Sequence, residues 1–170
     1  MKGKTLVTAV FLVLSLFLAM ETSLASARTT ISFETSSWEI DNVTTTYVDG
    51  KKPQIITQFE THGQMTGDLE GYFVWEQRAV TYSTVVDGNW VFLSFKADGY
   101  IQIYVSQGTE RIAIHFTYTA VPDETQNWRL AKSSWTIVSG TGVWAAVSGK
   151  GTMAEFPAPA IGWSFAGTVS

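Results

Sequence analysis

Ile101, Ile103 and Val105 alternate with Tyr100, Gln102 and Tyr104. Ile112, Ile114, Phe116 and Tyr118 alternate in the same way with Arg111, Ala113, His115 and Thr117. A two-residue period sends successive side chains to opposite sides of an extended chain, so each run has an apolar face and a more polar one. No window of a dozen residues offers the i, i+3, i+4, i+7 spacing of an amphipathic helix. β-Branched and aromatic residues instead fill segments that predict strands over 30–40, 54–66, 69–82, 89–96, 99–106, 110–120, 128–139 and 150–155 with 161–169.

The joints between these segments carry turn chemistry. Asp87-Gly88 and Asp98-Gly99 read as hairpin turns, with Gln107-Gly108 a weaker case. Asp49-Gly50-Lys51-Lys52-Pro53 and Val121-Pro122-Asp123-Glu124 read as longer polar connections. Pro157 and Pro159 must interrupt the last strand region, because proline cannot donate to a strand ladder. Many consecutive strands with short joints predict an all-β fold, an antiparallel meander closed into a barrel of roughly eight strands. A two-sheet sandwich is the competing architecture.

The first residues are set apart from this pattern. Lys2 and Lys4 precede an apolar run from Leu6 to Met20, and Ala25-Ser26-Ala27 supplies small residues for cleavage before Arg28. That is the layout of a secretory signal peptide, expected to be helical, over residues 1–27. The run is shorter than the roughly 20 residues of a membrane span. The expected mature protein is one barrel domain over 28–170, secreted or periplasmic, with no membrane span after cleavage.

That domain has 143 residues, all seven tryptophans, and nine basic against fourteen acidic side chains. A net charge of −5 with scattered lysines and arginines does not suit nucleic acid, which needs a clustered basic face. The absence of cysteine removes thiol chemistry and thiolate metal sites, and leaves stability to packing alone.

Residues 139–153, SGTGVWAAVSGKGTM, contain Gly140-x-Gly142-x-x-Ala145, a loose match to a dinucleotide loop. That loop needs a helix immediately after it, and here the chain returns to glycine and then runs toward Pro157. Gly149-Lys150 is followed by Gly151 rather than serine or threonine, so a P-loop is excluded too. The glycines are read as sites of close strand packing.

Taken with Gly67-Asp68-Leu69-Glu70-Gly71, the later Trp135, Ile137, Val138, Gly140, Thr141, Gly142, Gly149 and Gly151 give the chain a resemblance to a family. It resembles a small, mostly bacterial family grouped with the allene oxide cyclase-like barrels, whose members are largely without assigned activity. The resemblance spans about Thr30 to Val169 and implies an eight-stranded antiparallel barrel of calycin type. The leader peptide and the proline-bearing stretch from Ala154 to Ile161 depart from the family pattern. No stretch matches the cyclase active-site motif, so no catalytic residue is carried over.

The segment 67–78 is the most suggestive for chemistry. Glu70, Tyr72, Val74, Glu76 and Arg78 share one face of a strand, while Leu69, Phe73, Trp75 and Gln77 share the other. With the first set inward, two carboxylates and a guanidinium would line a cavity with perturbed pKa values. With Phe73 and Trp75 inward, as apolar faces favour, the charged set becomes a solvated stripe with a same-face ion pair. Asp68 reads as a turn residue. His62 and His115 are too far apart in sequence for metal-ligand spacing, and no G-x-S-x-G elbow supports a hydrolase. Asn42-Val43-Thr44 is a glycosylation sequon.

Three readings of function follow. The first is an exported barrel that binds a small apolar or aromatic molecule in its interior, with Tyr72, Trp75, Arg78, Tyr104 and Phe116 as candidate ligand-binding residues. The second is a protein-interaction or self-association module, including a homo-oligomer. The third is a cyclase- or isomerase-type enzyme using Glu70, Glu76 or His115. No metal and no cofactor are expected.

Overall fold

The computed structural model describes residues 28–50, 52–123, 128–155 and 162–170. The expected signal peptide at 1–27 and the interruption at Pro157 and Pro159 lie outside the described residues, as do Lys51 and Glu124 of the two longer connections.

Eight antiparallel strands run in chain order: β1 (Thr29–Val48), β2 (Gln54–Gly67), β3 (Gly71–Val86), β4 (Asn89–Val105), β5 (Glu110–Pro122), β6 (Trp128–Gly140), β7 (Gly149–Glu155) and β8 (Trp163–Val169). Each is hydrogen-bonded to the next, and the sheet closes on itself. Two short 3₁₀ turns, Ser106–Gly108 and Gly142–Trp144, are the only helical geometry among the described residues.

The expected number of strands is reached by a different division of the chain. Asp98-Gly99 does not form a hairpin turn; it lies inside the long β4. Gly99 has no left-handed backbone. A Cβ placed on it would overlap the Glu76 carbonyl oxygen on β3 and the Phe116 ring from β5. The glycine there answers a need for close approach between strands. The predicted final strand region is correspondingly two strands, β7 and β8. Asp87-Gly88 is the expected turn, with φ of 51° and 81°, the pair of positive values that suits a two-residue hairpin. Gln107-Gly108, with φ of 58° and 86°, joins β4 to β5.

Cross-strand register stacks the inward side chains in levels. Thr61, Trp75, Ile101, Ile114 and Ile137 face one another across β2 to β6. The next level holds Phe59, Gln77, Gly99, Phe116 and Trp135. Above it come Thr57, Ala79, Ala97 and Tyr118, and then Ile55, Thr81, Phe95, Ala120 and Leu130. Phe73, Trp75, Ile101, Ile103, Ile112, Ile114 and Phe116 are wholly buried. Alternation thus sends Phe73 and Trp75 inward, and the apolar faces of β4 and β5 meet inside the closed sheet.

Trp75 is the centre of this packing. Its ring lies 4.7 Å from Phe116, 5.8 Å from Trp163 and 6.2 Å from Phe165. On the seam between β1 and β8, Phe33 stacks on Phe165 at 4.6 Å. The glycine-rich stretch serves the same core. Side chains on Gly151 or Gly167 would overlap the Trp135 indole, which sits against these two bare backbones.

The motif around Asp68 is also architectural. The Asp68 carboxylate accepts from the Ser32 amide at 2.6 Å, and the Asp68 amide donates to the Ser32 carbonyl at 2.9 Å. This ties the β2–β3 corner to β1 while Leu69 enters the core.

Gly99→Ala is expected to destabilise the fold by about 1–3 kcal/mol, because neither the Glu76 backbone nor the packed Phe116 can retreat freely. Urea denaturation should show a lower midpoint with little change in slope; an unchanged midpoint would refute the packing role of Gly99.

Candidate functional site

Two regions combine space with polar chemistry, and they lie on opposite faces of the same strands. The first is the inner mouth of the closed sheet. Thr35 on β1 meets Trp163, the first residue of β8: its hydroxyl accepts from the Trp163 amide at 2.8 Å. β1 then runs on to Val48, and β2 to β6 extend with it. Among the described residues the inner face therefore continues past the packed core and beyond β7 and β8.

A cavity of about 140 Å³ lies there, lined by Phe95, Tyr118, Ala120, Trp128, Leu130, Glu155 and Trp163. The levels below carry tryptophan and phenylalanine, whereas here the buried Ala120 lies opposite Phe95 and Leu130, and its short side chain leaves room among them. Phe95 packs 5.8 Å from Trp128 and 5.7 Å from Tyr118, and Tyr118 packs 4.8 Å from Trp163.

The floor is polar. The Trp75 indole N–H donates to Gln77 Oε1 at 3.2 Å, and Gln77 Nε2 donates to the Tyr118 hydroxyl oxygen at 3.0 Å. Gln77 is thus a buried amide held at both ends, as a desolvated polar group requires. Burial pushes the Tyr118 phenol well above its ordinary range, against the opposing effect of the Gln77 hydrogen bond; the Glu155 charge adds to the rise. Burial at the rim also raises the Glu155 carboxyl above the usual carboxylate value.

The second region is the outer face of β2, β3 and β4. Here the register places Gln64, Tyr72 and Tyr104 side by side, then Glu60, Glu76 and Tyr100, then Gln58, Arg78 and Asp98. Two grooves follow this face. One of about 840 Å³ is bordered by Gln64, Glu70, Tyr72, Val74, Tyr104 and Gln107. The other, of about 380 Å³, includes Asn42, Gln58, Glu60, Glu76, Arg78, Asp98 and Tyr100.

The candidate residues named from the sequence divide between these faces. Trp75 and Phe116 are inside, wholly buried in the core rather than open to a cavity. Tyr72, Arg78 and Tyr104 are on the outer face, as are Glu70 and Glu76, both exposed. His115 is also outside, with Nε2 3.0 Å from Asp98 Oδ2 and its ring 5.0 Å from Tyr100. Glu70, Glu76 and His115 therefore do not converge on an interior acid–base site. Arg78 forms no ion pair among the described residues, so the expected pairing along this stripe is absent.

His62 joins the outer face through Nδ1, 2.7 Å from Asp41 Oδ2, with Glu39 at 4.0 Å from Nε2. The Asp41 hydrogen bond holds its pKa above the ordinary imidazole value, outweighing partial desolvation. Among the described residues no group of three or more acidic or histidine side chains is arranged to hold a metal ion.

The mouth was not legible as a site from the sequence. Glu155, Leu130 and Ala120 carry no motif, and only the register of β4, β5 and β6 brings them together. Gln77 gave the one available signal, an amide on the apolar phase of β3 between Trp75 and Ala79.

Comparison of the chain with protein-family models, with curated proteins and with solved structures finds no match.

Tyr118→Phe is expected to cost about 1–3 kcal/mol, since it removes the hydroxyl that satisfies the buried Gln77 amide. Chemical denaturation should recover part of that loss when Gln77→Leu is added; simple additivity of the two substitutions would argue against the chain of bonds. For His62, NMR titration should give a pKa above 6.5 that falls in Asp41→Asn. Because the folded value is raised, the stabilisation is fully present below the unfolded pKa and is lost as pH rises through the folded one.

Proposed function

We propose that this protein is an exported, non-enzymatic barrel that binds one small apolar or aromatic molecule at its inner mouth. The observation that carries the reading is a cavity in which the short Ala120 side chain stands among Phe95, Tyr118, Trp128 and Trp163. A small residue among large aromatic ones leaves a concave apolar site with a few polar groups, the usual form of a small-ligand pocket. A volume near 140 Å³ suits a single aromatic ring, since an apolar cavity of about 150 Å³ is enough for benzene. The buried Tyr118 hydroxyl and the Glu155 carboxyl at the rim would orient a polar substituent on that ring.

Export rests on the basic, apolar and small-residue layout of residues 1–27, with cleavage after Ala27 and a secreted or periplasmic destination. Kinship with the allene oxide cyclase-like barrels rests on the residues shared with that family and on the closed eight-stranded topology. Neither assigns a reaction, because shared architecture does not carry shared chemistry.

Titration of the purified protein with indole or toluene, followed by tryptophan fluorescence and calorimetry, tests the reading. Saturable one-to-one binding is expected, and Ala120→Leu, which fills the cavity, should abolish it. No saturable signal, or binding indifferent to Ala120→Leu, would sink the assignment. A neutral ligand that covers Glu155 would desolvate it further, so affinity should rise as pH falls through the upper carboxylate range, and Glu155→Gln should flatten that dependence.

A further inference from the structure

The outer face of β3 carries a second site that the mouth does not account for. Tyr72, Val74, Glu76 and Arg78 point away from the core, between Gln64, His62, Glu60 and Gln58 on β2 and Tyr104, Gln102, Tyr100 and Asp98 on β4. At about 3.3 Å per residue, Tyr72 to Arg78 spans about 20 Å. The grooves at the two ends of this span follow one another along a single strand. The strip of outer face that carries both grooves is therefore elongated, and it suits an extended chain better than a compact molecule.

Its lining alternates aromatic surfaces with hydrogen-bonding groups. Tyr72, near the start of β3, is 40% exposed, and Tyr100 on β4 is 49% exposed, so both rings are open to solvent on this face. The Tyr72 and Tyr104 rings lie 6.2 Å apart, and His62 lies 5.8 Å from Tyr72. Part of this set is already held in place. The Tyr104 hydroxyl donates to Gln102 Oε1 at 3.4 Å, and Arg111 Nη1 donates to the same oxygen at 3.3 Å. Tyrosine offers a flat apolar ring with a polar edge, so little conformational freedom is lost when something stacks on it.

Around these rings stand amides and carboxylates: Asn42, Gln58, Glu60, Gln64, Glu70, Glu76, Asp98 and Gln107. Carboxylates accept hydrogen bonds from hydroxyls, and side-chain amides both donate and accept. Stacking rings with flanking planar polar groups complement a polyhydroxylated ring, which has apolar C–H faces and a hydroxyl-bearing perimeter. Four carboxylates, Glu60, Glu70, Glu76 and Asp98, outnumber the single groove-lining cation Arg78, which disfavours a polyanion.

From this arrangement we infer that the outer face of β2–β4 is a binding groove for an extended neutral oligosaccharide, stacked on Tyr72, Tyr104 and Tyr100 and hydrogen-bonded by the flanking amides and carboxylates. It is independent of the mouth, from which the strands themselves separate it.

Calorimetry of the purified protein with cellohexaose and with chitohexaose tests the inference, with hexagalacturonate as the acidic comparison. Saturable binding of at least one neutral hexaose is expected, weakened roughly tenfold by Tyr72→Ala and by Tyr104→Ala, the scale of one lost stacking contact. Both variants should keep the parent far-ultraviolet circular dichroism and urea midpoint, because neither side chain belongs to the core. Val143→Ser, exposed on the 3₁₀ turn before β7, should leave binding unchanged. Failure of both neutral sugars to bind, or binding untouched by the two tyrosine substitutions, would overturn the inference. Preference for hexagalacturonate would overturn it as well. So would a dimer in sedimentation that Tyr72→Ala dissociates, which would assign this face to a second copy of the chain. Indole binding at the mouth is read separately, so failure of one site leaves the other standing.

Discussion

The burial of the Trp75 indole at the middle of a closed sheet is the constraint on which the other features rest. A ring of that size can be wholly desolvated only if its N–H finds a partner, and Gln77, two residues along the same strand face, provides one. Gln77 is then itself a buried amide, and it needs Tyr118 from β5, across the intervening β4. One tryptophan thereby fixes the phase of β3, the position of β5 and the polar floor of the mouth. A one-residue slip of β3 would bury Glu76 and Arg78 and expose Trp75, so the register has no near competitor.

The same alternation explains why the two faces of β3 have unlike chemistry. Inward positions were committed to packing, and the acidic and tyrosine side chains between them were left outside. Glu70, Glu76 and His115 look like an acid–base set when read along the chain. They are instead parts of an exterior, where Glu70 and Glu76 are exposed and His115 rests on Asp98. Of the two settings open to β3, the register adopts the one that apolar faces favour, with Phe73 and Trp75 inside and the charged stripe outside.

Much of the fold was legible, and the reasons are local. Alternation in β4 and β5 is plain because one face of each is almost purely aliphatic. Asp87-Gly88 announces its turn because only small or polar residues take two positive φ values in succession. Asp98-Gly99 has the same letters and misled for a physical reason. Glycine is also needed where a neighbour's ring and a carbonyl crowd the backbone, and a single sequence does not distinguish the two demands. The division between β7 and β8 was blurred because the boundary lies beside Pro157 and Pro159, where strand signals are weakest. The mouth was not legible because alanine carries no signal of its own. Ala120 matters only through the larger side chains around the cavity it lines, and those are brought together by several strands meeting in register.

The mismatch in strand length between β1 and β8 has a consequence for how the molecule can breathe. β7 and β8 are seven residues each, and they seal only the end of the closed sheet that holds Phe33, Trp135 and Phe165. Toward Val48 the long strands extend beyond that short collar, with β1 on one margin and β6 on the other. Local opening follows the places with fewest buried contacts, so among the described residues the strand ends beyond this collar would loosen at least cost. Loosening there would leave Trp75 and its neighbours packed, so that the proposed ligand could be admitted without loss of the core.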